Sequence, residues 1–326
     1  MKETLQEYLG GITLLEEYLP KIDNITHEVY HYTSTDAFNS ILFSNPKYVT
    51  LHASRYDCLN DTSEGEVAKE AYAKVCDTLL NEGKINDEQY HFFKSIEIDE
   101  YEIFTENIGD TIEAHVQKFD TFVCSFSKDN DSLSMWNYYG KNGGYNVGFH
   151  LCELDEHCNG LLNTNVEKKE KTCDVVKQVC PVVYEEKEQT EIIYKNLSRI
   201  IDRYGKEKLS GISGYISMWL RDWSILFKKE CFKHENEIRI IVKVPRINSD
   251  QKIHPSLKIK YKHKGAYTVP YVELKFEKNV ISGVTFSPMQ LPEEQREKQK
   301  TIMKEMLKSH GFGYMNIDVS DVPVRF

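Results

Sequence analysis

From residue 235 the chain reads Glu-Asn-Glu-Ile-Arg-Ile-Ile-Val-Lys-Val. Ile and Val crowd positions 238–244, and side chains on a strand alternate between its two faces. A strand over 236–244 therefore puts Ile238, Ile240, Val242 and Val244 on one face. Glu235, Glu237 and Arg239 share the other. The apolar face has to be covered, and the charged row either meets water on an open sheet or lines a cleft. Two carboxylates on one face repel unless a cation stands beside them, and Arg239 can serve Glu237 in that way.

Other strand-like stretches are 28–32, 47–51, 119–126, 145–150, 175–184, 271–276, 280–286 and 315–319. Helical patterns fill Glu3–Leu19, a short stretch with Phe38, Ile41 and Leu42, the polar block from Asp61 to about His115, 133–139, about 188–227 and about 292–307. Strands and helices do not alternate regularly, so the reading is α+β with a mixed or antiparallel sheet rather than a doubly wound one. No repeat or low-complexity linker divides the chain. It reads as a single α+β domain over 1–326, with an N-terminal helix at 1–20 and helical insertions at 61–117 and 187–228.

Charge narrows the partners. There are 41 basic and 51 acidic residues, a net charge of −10, so the overall field repels phosphate backbones. Nucleic-acid contact needs a local basic patch, and the candidates are 168–171, 228–233 and 258–264. Eight cysteines occur without a Cys-x-x-Cys pair, and the His150/Cys152/His157/Cys158 and Cys231/His234 groups lack zinc-finger spacing. No metal is expected. No stretch reaches the roughly 18 apolar residues of a membrane span. The expectation is a cytoplasmic protein with free thiols.

Four polar clusters sit at strand ends or turns, where sites are usually built. His31, Tyr32 and Thr33 close the first strand; a His and hydroxyls there can bind a sugar or a carboxylate. Asn60, Asp61 and Glu64 fit a helix-capping box. Ser125 and Ser127 flank the end of another strand, after which Asp131 or Ser132 opens a helix bearing Trp136 and Tyr139. Those two rings either pack the core or stack on a flat ligand. The Glu235, Glu237, Arg239 row is the fourth. The chain has no P-loop, no Gly-x-Ser-x-Gly, no His-Glu-x-x-His and no G-x-G-x-x-G.

Taken in order, His31-Tyr32-Thr33, Asn60-Asp61 with Glu64, Ser125-Phe126-Ser127, Asp131-Ser132-Leu133, Met135-Trp136, Tyr139-Gly140, Val147-Gly148-Phe149, and Phe232 with Glu235, Glu237 and Arg239 resemble a bacterial family, the domain of unknown function 2971. Pro270–Glu273 and Ile281–Val284 resemble its closing strands, so the likeness runs from about 28 to about 290. The family carries no settled activity. Its layout is similar to ADP-ribosyltransferase-like folds, which implies an NAD-using or NAD-cleaving enzyme with an unknown macromolecular acceptor, suited to a toxin or phage-defence effector. By that likeness His31 binds a ribose of NAD, and Tyr32 and Thr33 adjoin it. Ser125, Ser127 or Tyr139 lines the nicotinamide pocket, with Asp131, Trp136 and Arg239 nearby. Glu237 or Glu235 hydrogen-bonds the ribose 2′-hydroxyl and stabilises the oxocarbenium-like transition state. Two other readings stand beside it. In one, the chain is a non-catalytic nucleotide-sensing or interaction module. In the other, it is a nucleic-acid processing enzyme in which Glu235, Glu237 and Asp131 hold a divalent metal.

Overall fold

The computed structural model describes residues 18–59, 65–98, 101–108, 111–140, 143–155, 176–204, 212–246, 257–288 and 292–323. The helix expected at 1–20, apart from 18–20, and the Asn60, Asp61, Glu64 cluster lie outside the described residues. In chain order the elements are β1 (Glu28–Thr33), α1 (Thr35–Phe43), β2 (Tyr48–Arg55), α2 (Glu66–Asn81), α3 (Asp87–Lys94), β3 (Tyr101–Ile108), β4 (Thr111–Ser127), α4 (Leu133–Tyr139), β5 (Tyr145–His150) and β6 (Val176–Pro181). There follow α5 (Glu186–Tyr204), α6 (Ser213–Leu226), a 3₁₀ turn (Glu230–Glu235), β7 (Glu237–Pro245), β8 (Lys260–Lys264), β9 (Tyr267–Glu277), β10 (Ile281–Phe286), α7 (Arg296–Ser309) and β11 (Asn316–Val319). The class is α+β, with a mixed and mostly antiparallel sheet; β10 and β11 run parallel.

The chain divides into two compact units. The first takes 1–21, 59–120 and 180–233; the second takes 22–58, 121–179 and 234–326. The stretches read as insertions build their own core. In the first unit α2 packs on α5 and α6, and α6 is buried along Tyr215–Leu226. Tyr18 stacks on Trp219 at 5.5 Å, and the Trp223 indole N–H donates to the Tyr18 carbonyl. The block read as helical to about His115 is helical only through α2 and α3. Beyond them β3 and β4 pair from Tyr101↔Lys118 to Ile108↔Thr111. The β-branched and aromatic residues Tyr101, Ile103, Phe104, Thr105, Ile112 and Val116 explain the strand choice.

The second unit holds the strand path β11-β10-β5-β1-β4-β2-β9-β8, with β7 also paired to β4. One face of these strands builds the main apolar core. Val29, Leu51, Phe122, Cys124, Phe126, Val147, Phe149, Ile238, Ile240 and Leu274 meet there with Phe38 and Leu42 of α1 and Met303 and Leu307 of α7. Ser34 caps α1, its hydroxyl accepting from the Ala37 amide. Gly148 sits where β5 faces a register shift in β10, and a Cβ there would lie 2.6 Å from Ser282 Oγ. Close backbone approach is the reason for glycine inside this strand.

Gly144 is tighter still, because a Cβ would meet the Thr33 carbonyl oxygen at 2.1 Å. Gly144→Ala must part the end of the β1–β5 ladder. The expected loss is about 1–3 kcal/mol in urea unfolding, the usual cost of forcing extra atoms into a packed site. A wild-type midpoint would show that the ladder yields freely.

Candidate functional site

The site is assembled where β4 ends, α4 ends and β7 begins, all within the second unit. Asn236 has φ 43°, the left-handed region, where Asn is tolerated better than most residues. Its carbonyl accepts from the Lys128 amide at 2.8 Å and its Nδ2 donates to Asp129 Oδ1 at 3.0 Å. That kink breaks the expected alternation. Glu235 closes a 3₁₀ turn and only Glu237 and Arg239 stand together on β7. Ser127 anchors the turn, its Oγ donating to the Glu235 carbonyl at 2.7 Å and accepting from the Asp129 amide at 3.1 Å.

Every residue of β7 is buried. The charged row is therefore no water-facing edge. Arg239 is 1% exposed and grips Glu237 in a two-pronged pair, Nε to Oε1 at 2.9 Å and Nη2 to Oε2 at 3.1 Å. Lys243 is buried further along the same face. Tyr139 reaches across from α4, with its hydroxyl 3.4 Å from Glu235 Oε1 and 39% of the residue exposed. Burial first, and then the negative charge of Glu235 and Glu237, push the phenol's pKa well up, so it stays protonated and can only donate to those carboxylates. Beside it Tyr138 lies 5.7 Å from the His234 ring. Glu235 and Tyr139 were both legible as candidates; His234 was legible only as the neighbour of Cys231, and Tyr138 not at all, for lack of any motif.

The other candidates are placed differently. Tyr32 is structural: its hydroxyl donates to the Asp129 carbonyl at 2.7 Å and accepts from the Ser132 amide at 2.9 Å. Trp136 is 3% exposed and packs edge-on against Tyr32 at 4.8 Å, so it fills a small core instead of offering a stacking surface. Asp131 does not cap α4. Its Oδ1 accepts from Trp136 Nε1 at 2.7 Å and from Ser320 Oγ at 2.5 Å, and its Oδ2 accepts from the Asp321 amide at 2.8 Å. These bonds occupy the oxygens a shared metal would need. Among the described residues no group of three or more His, Cys, Asp or Glu is set to hold a metal. Thr33 is buried opposite Tyr145.

His31 is separated from the row. The Ser125 carbonyl turns toward His31 Nδ1, at 2.9 Å, while the Lys128 amide turns toward Asn236. β4 thus lies between β1 and the start of β7. The His31 ring rests 5.7 Å from Phe126, a residue of the main core. Glu237 alternates with Ile238, whose side chain is in that core, and so points away from it. The structure does not bring His31 onto the face that carries Glu237.

Burial is the main cause that holds the His31 ring below its ordinary 6.5; the charge of Lys262 adds to it and the Ser125 bond opposes it. The folded state therefore disfavours the protonated ring, while the unfolded chain protonates near 6.5. Stability is full above that pH and falls as pH drops below it, toward the depressed folded value. Melting temperatures from about pH 7.5 to about pH 5 should drop more for wild type than for His31→Gln. Parallel curves would refute a buried, neutral ring.

Residues 135–240 match the model of a protein of unknown function, DUF2971. The matched stretch runs from α4 into β7 and so contains Tyr139, Glu235, Glu237 and Arg239. The resemblance to DUF2971 is borne out over that stretch, which is shorter than the span expected from about 28 to about 290. The DUF2971 match leaves out β1 and His31. No curated protein and no solved structure matches the chain. No helix among the described residues is long and apolar enough to cross a membrane.

Proposed function

We propose that the second unit is an NAD-using enzyme of ADP-ribosyl-transfer or NAD-cleaving type, with Glu235 as its acting carboxylate. The observation that carries this is the Tyr139–Glu235 contact beside the closed Glu237–Arg239 pair. Glu237 spends both oxygens on Arg239. Glu235 sits beside the partly exposed Tyr139 ring, so a carboxylate to hold a ribose hydroxyl adjoins a ring that can stack on nicotinamide. Glu235 accepts a hydrogen bond from the ribose 2′-hydroxyl. As the C1′–N bond breaks and its electron pair leaves with nicotinamide, positive charge grows on the ribose, and the carboxylate stabilises it. Water or an acceptor nucleophile then bonds to C1′ and gives up its proton. Such an activity suits a bacterial toxin or defence effector.

Nicotinamide release from NAD, followed by chromatography, tests the reading. Glu235→Gln should slow release about a hundredfold, the low end for removing one transition-state contact, with the fold intact. Tyr139→Phe should raise KM more than it lowers kcat. No release and no label transfer by wild type would end the enzyme reading.

The core-facing position of His31 favours a second reading, a module that binds a nucleotide without turning it over. Saturating nucleotide at about 100 times Kd would then add about 2.7 kcal/mol of stability with no product formed.

A further inference from the structure

Between Leu257 and Gly265 the chain reads Lys-Ile-Lys-Tyr-Lys-His-Lys, four lysines at strict two-residue spacing and no acid, in a protein of net charge −10. The structure turns most of this stretch into β8, which pairs with β9 from Lys260↔Tyr271 to Lys264↔Tyr267. Directly opposed residues share a face, so Lys260 and Lys262 stand with Tyr271 and Val269, the latter buried, and Tyr267 follows at the same two-residue spacing. β9 pairs onward with β2 and adds Lys275 and His52 to that face, through Thr50↔Lys275 and His52↔Glu273. Among the described residues β8 ends the strand path, with β9 as its one neighbour.

The rings on this face differ in exposure. Tyr267 is 77% exposed. Tyr271 is half-buried, with the Lys262 ammonium 5.3 Å from its ring centre and the His52 ring 4.3 Å away. Burial and the charge of Lys262 hold His52 below the usual imidazole range. Two acids of β9 share the face: Glu273, bound by Lys260 at 2.7 Å, and Glu277 at the far end of the strand. Tyr261 is also exposed, at 68%, but on the opposite face of β8.

We propose that this face of the β8–β9 hairpin and β2 is a docking surface for single-stranded nucleic acid. Lysines at strand spacing recur about every 7 Å, close to the pitch of an extended phosphate backbone. Tyr267, exposed beside them, offers a stacking platform that accepts any unpaired base. Duplex bases cannot reach such rings. An acidic peptide adding to the β8 edge would bond its backbone and make no use of Tyr267. The positive field is local, so the acidic remainder of the chain limits non-specific attraction and leaves the ring contacts to decide the partner. The proposal is independent of any NAD chemistry at Glu235.

Fluorescence anisotropy of the full chain with labelled oligothymidylate of about 15 nucleotides provides the test. Saturable binding is expected at low salt, weakening with a log–log salt slope of about −2 to −3, as for three or four neutralised phosphates on a single strand. Tyr267→Ala should weaken binding about tenfold, the scale of one lost base stack, without unfolding an exposed position. Lys262→Gln should weaken it and flatten the slope by about 0.7. Tyr261→Ala should leave binding unchanged. The proposal is overturned if oligothymidylate fails to bind, if a duplex of the same length binds as tightly, or if Tyr267→Ala binds like wild type.

Discussion

Arg239→Ala should lower the unfolding free energy by about 3–5 kcal/mol, among the largest effects of any single substitution in the second unit. Arg239 is 1% exposed and its two-pronged pair occupies both oxygens of Glu237, itself 6% exposed. Removing the guanidinium strands a carboxylate away from water, and the cost is chiefly that of the stranded charge. A double variant tests this cause. Glu237→Gln with Arg239→Met removes both charges at similar volume and should recover most of the loss in urea unfolding. If the double variant is as unstable as Arg239→Ala, the pair is not what holds this face. If Arg239→Ala unfolds like wild type, the row is not buried in solution.

Trp136→Ala should cost a similar 3–5 kcal/mol, the usual price of deleting a fully packed aromatic side chain. The ring fills a small cluster with Tyr32 and Met135. Its indole N–H donates to Asp131, which also takes the Ser320 hydroxyl and the Asp321 amide. Trp136→Phe separates the two contributions. It keeps most of the packing and loses the N–H, so about 1–2 kcal/mol should be lost, less than for Ala. Equal losses for Ala and Phe would put the hydrogen bond, and not the packing, in control. Since α4 carries Tyr139, loosening its base should also weaken the Tyr139–Glu235 contact.

The class of the fold was legible because the apolar strands advertise themselves: Ile238–Val244, Tyr145–His150 and Ile281–Phe286 are rich in strand formers. The hairpin of β3 and β4 was missed because polar residues interrupt its apolar positions and mimic a solvated helix. β8 reads in the sequence as a charged patch because lysine is a poor strand former, although its two-residue spacing is a strand's. The row at Glu235 was legible in its members but not in its geometry. A single left-handed residue, Asn236, moves Glu235 off the strand, and nothing local in the sequence demands that conformation. Of Asp131 and Ser132, the two candidates for the cap of α4, the structure places Ser132 at the N-cap and ties Asp131 to a distant segment. The partners of Asp131 at Ser320 and Asp321 are 189 and 190 residues away, beyond any local pattern. His31 was correctly placed at a strand end, yet its direction depends on how β1 registers against β4 and β5, which is a property of the assembled sheet.

The Asp131 junction also sets a timetable. A ribosome adds roughly 5–20 residues each second, and Asp131 waits for Ser320 and Asp321 for the whole of that interval. β5 waits in the same way for β10. The hydrogen bonds that hold Asp131 at the base of α4 are therefore completed only once residue 321 has been made. Until then the Tyr139–Glu235 contact lacks the support that this junction gives α4.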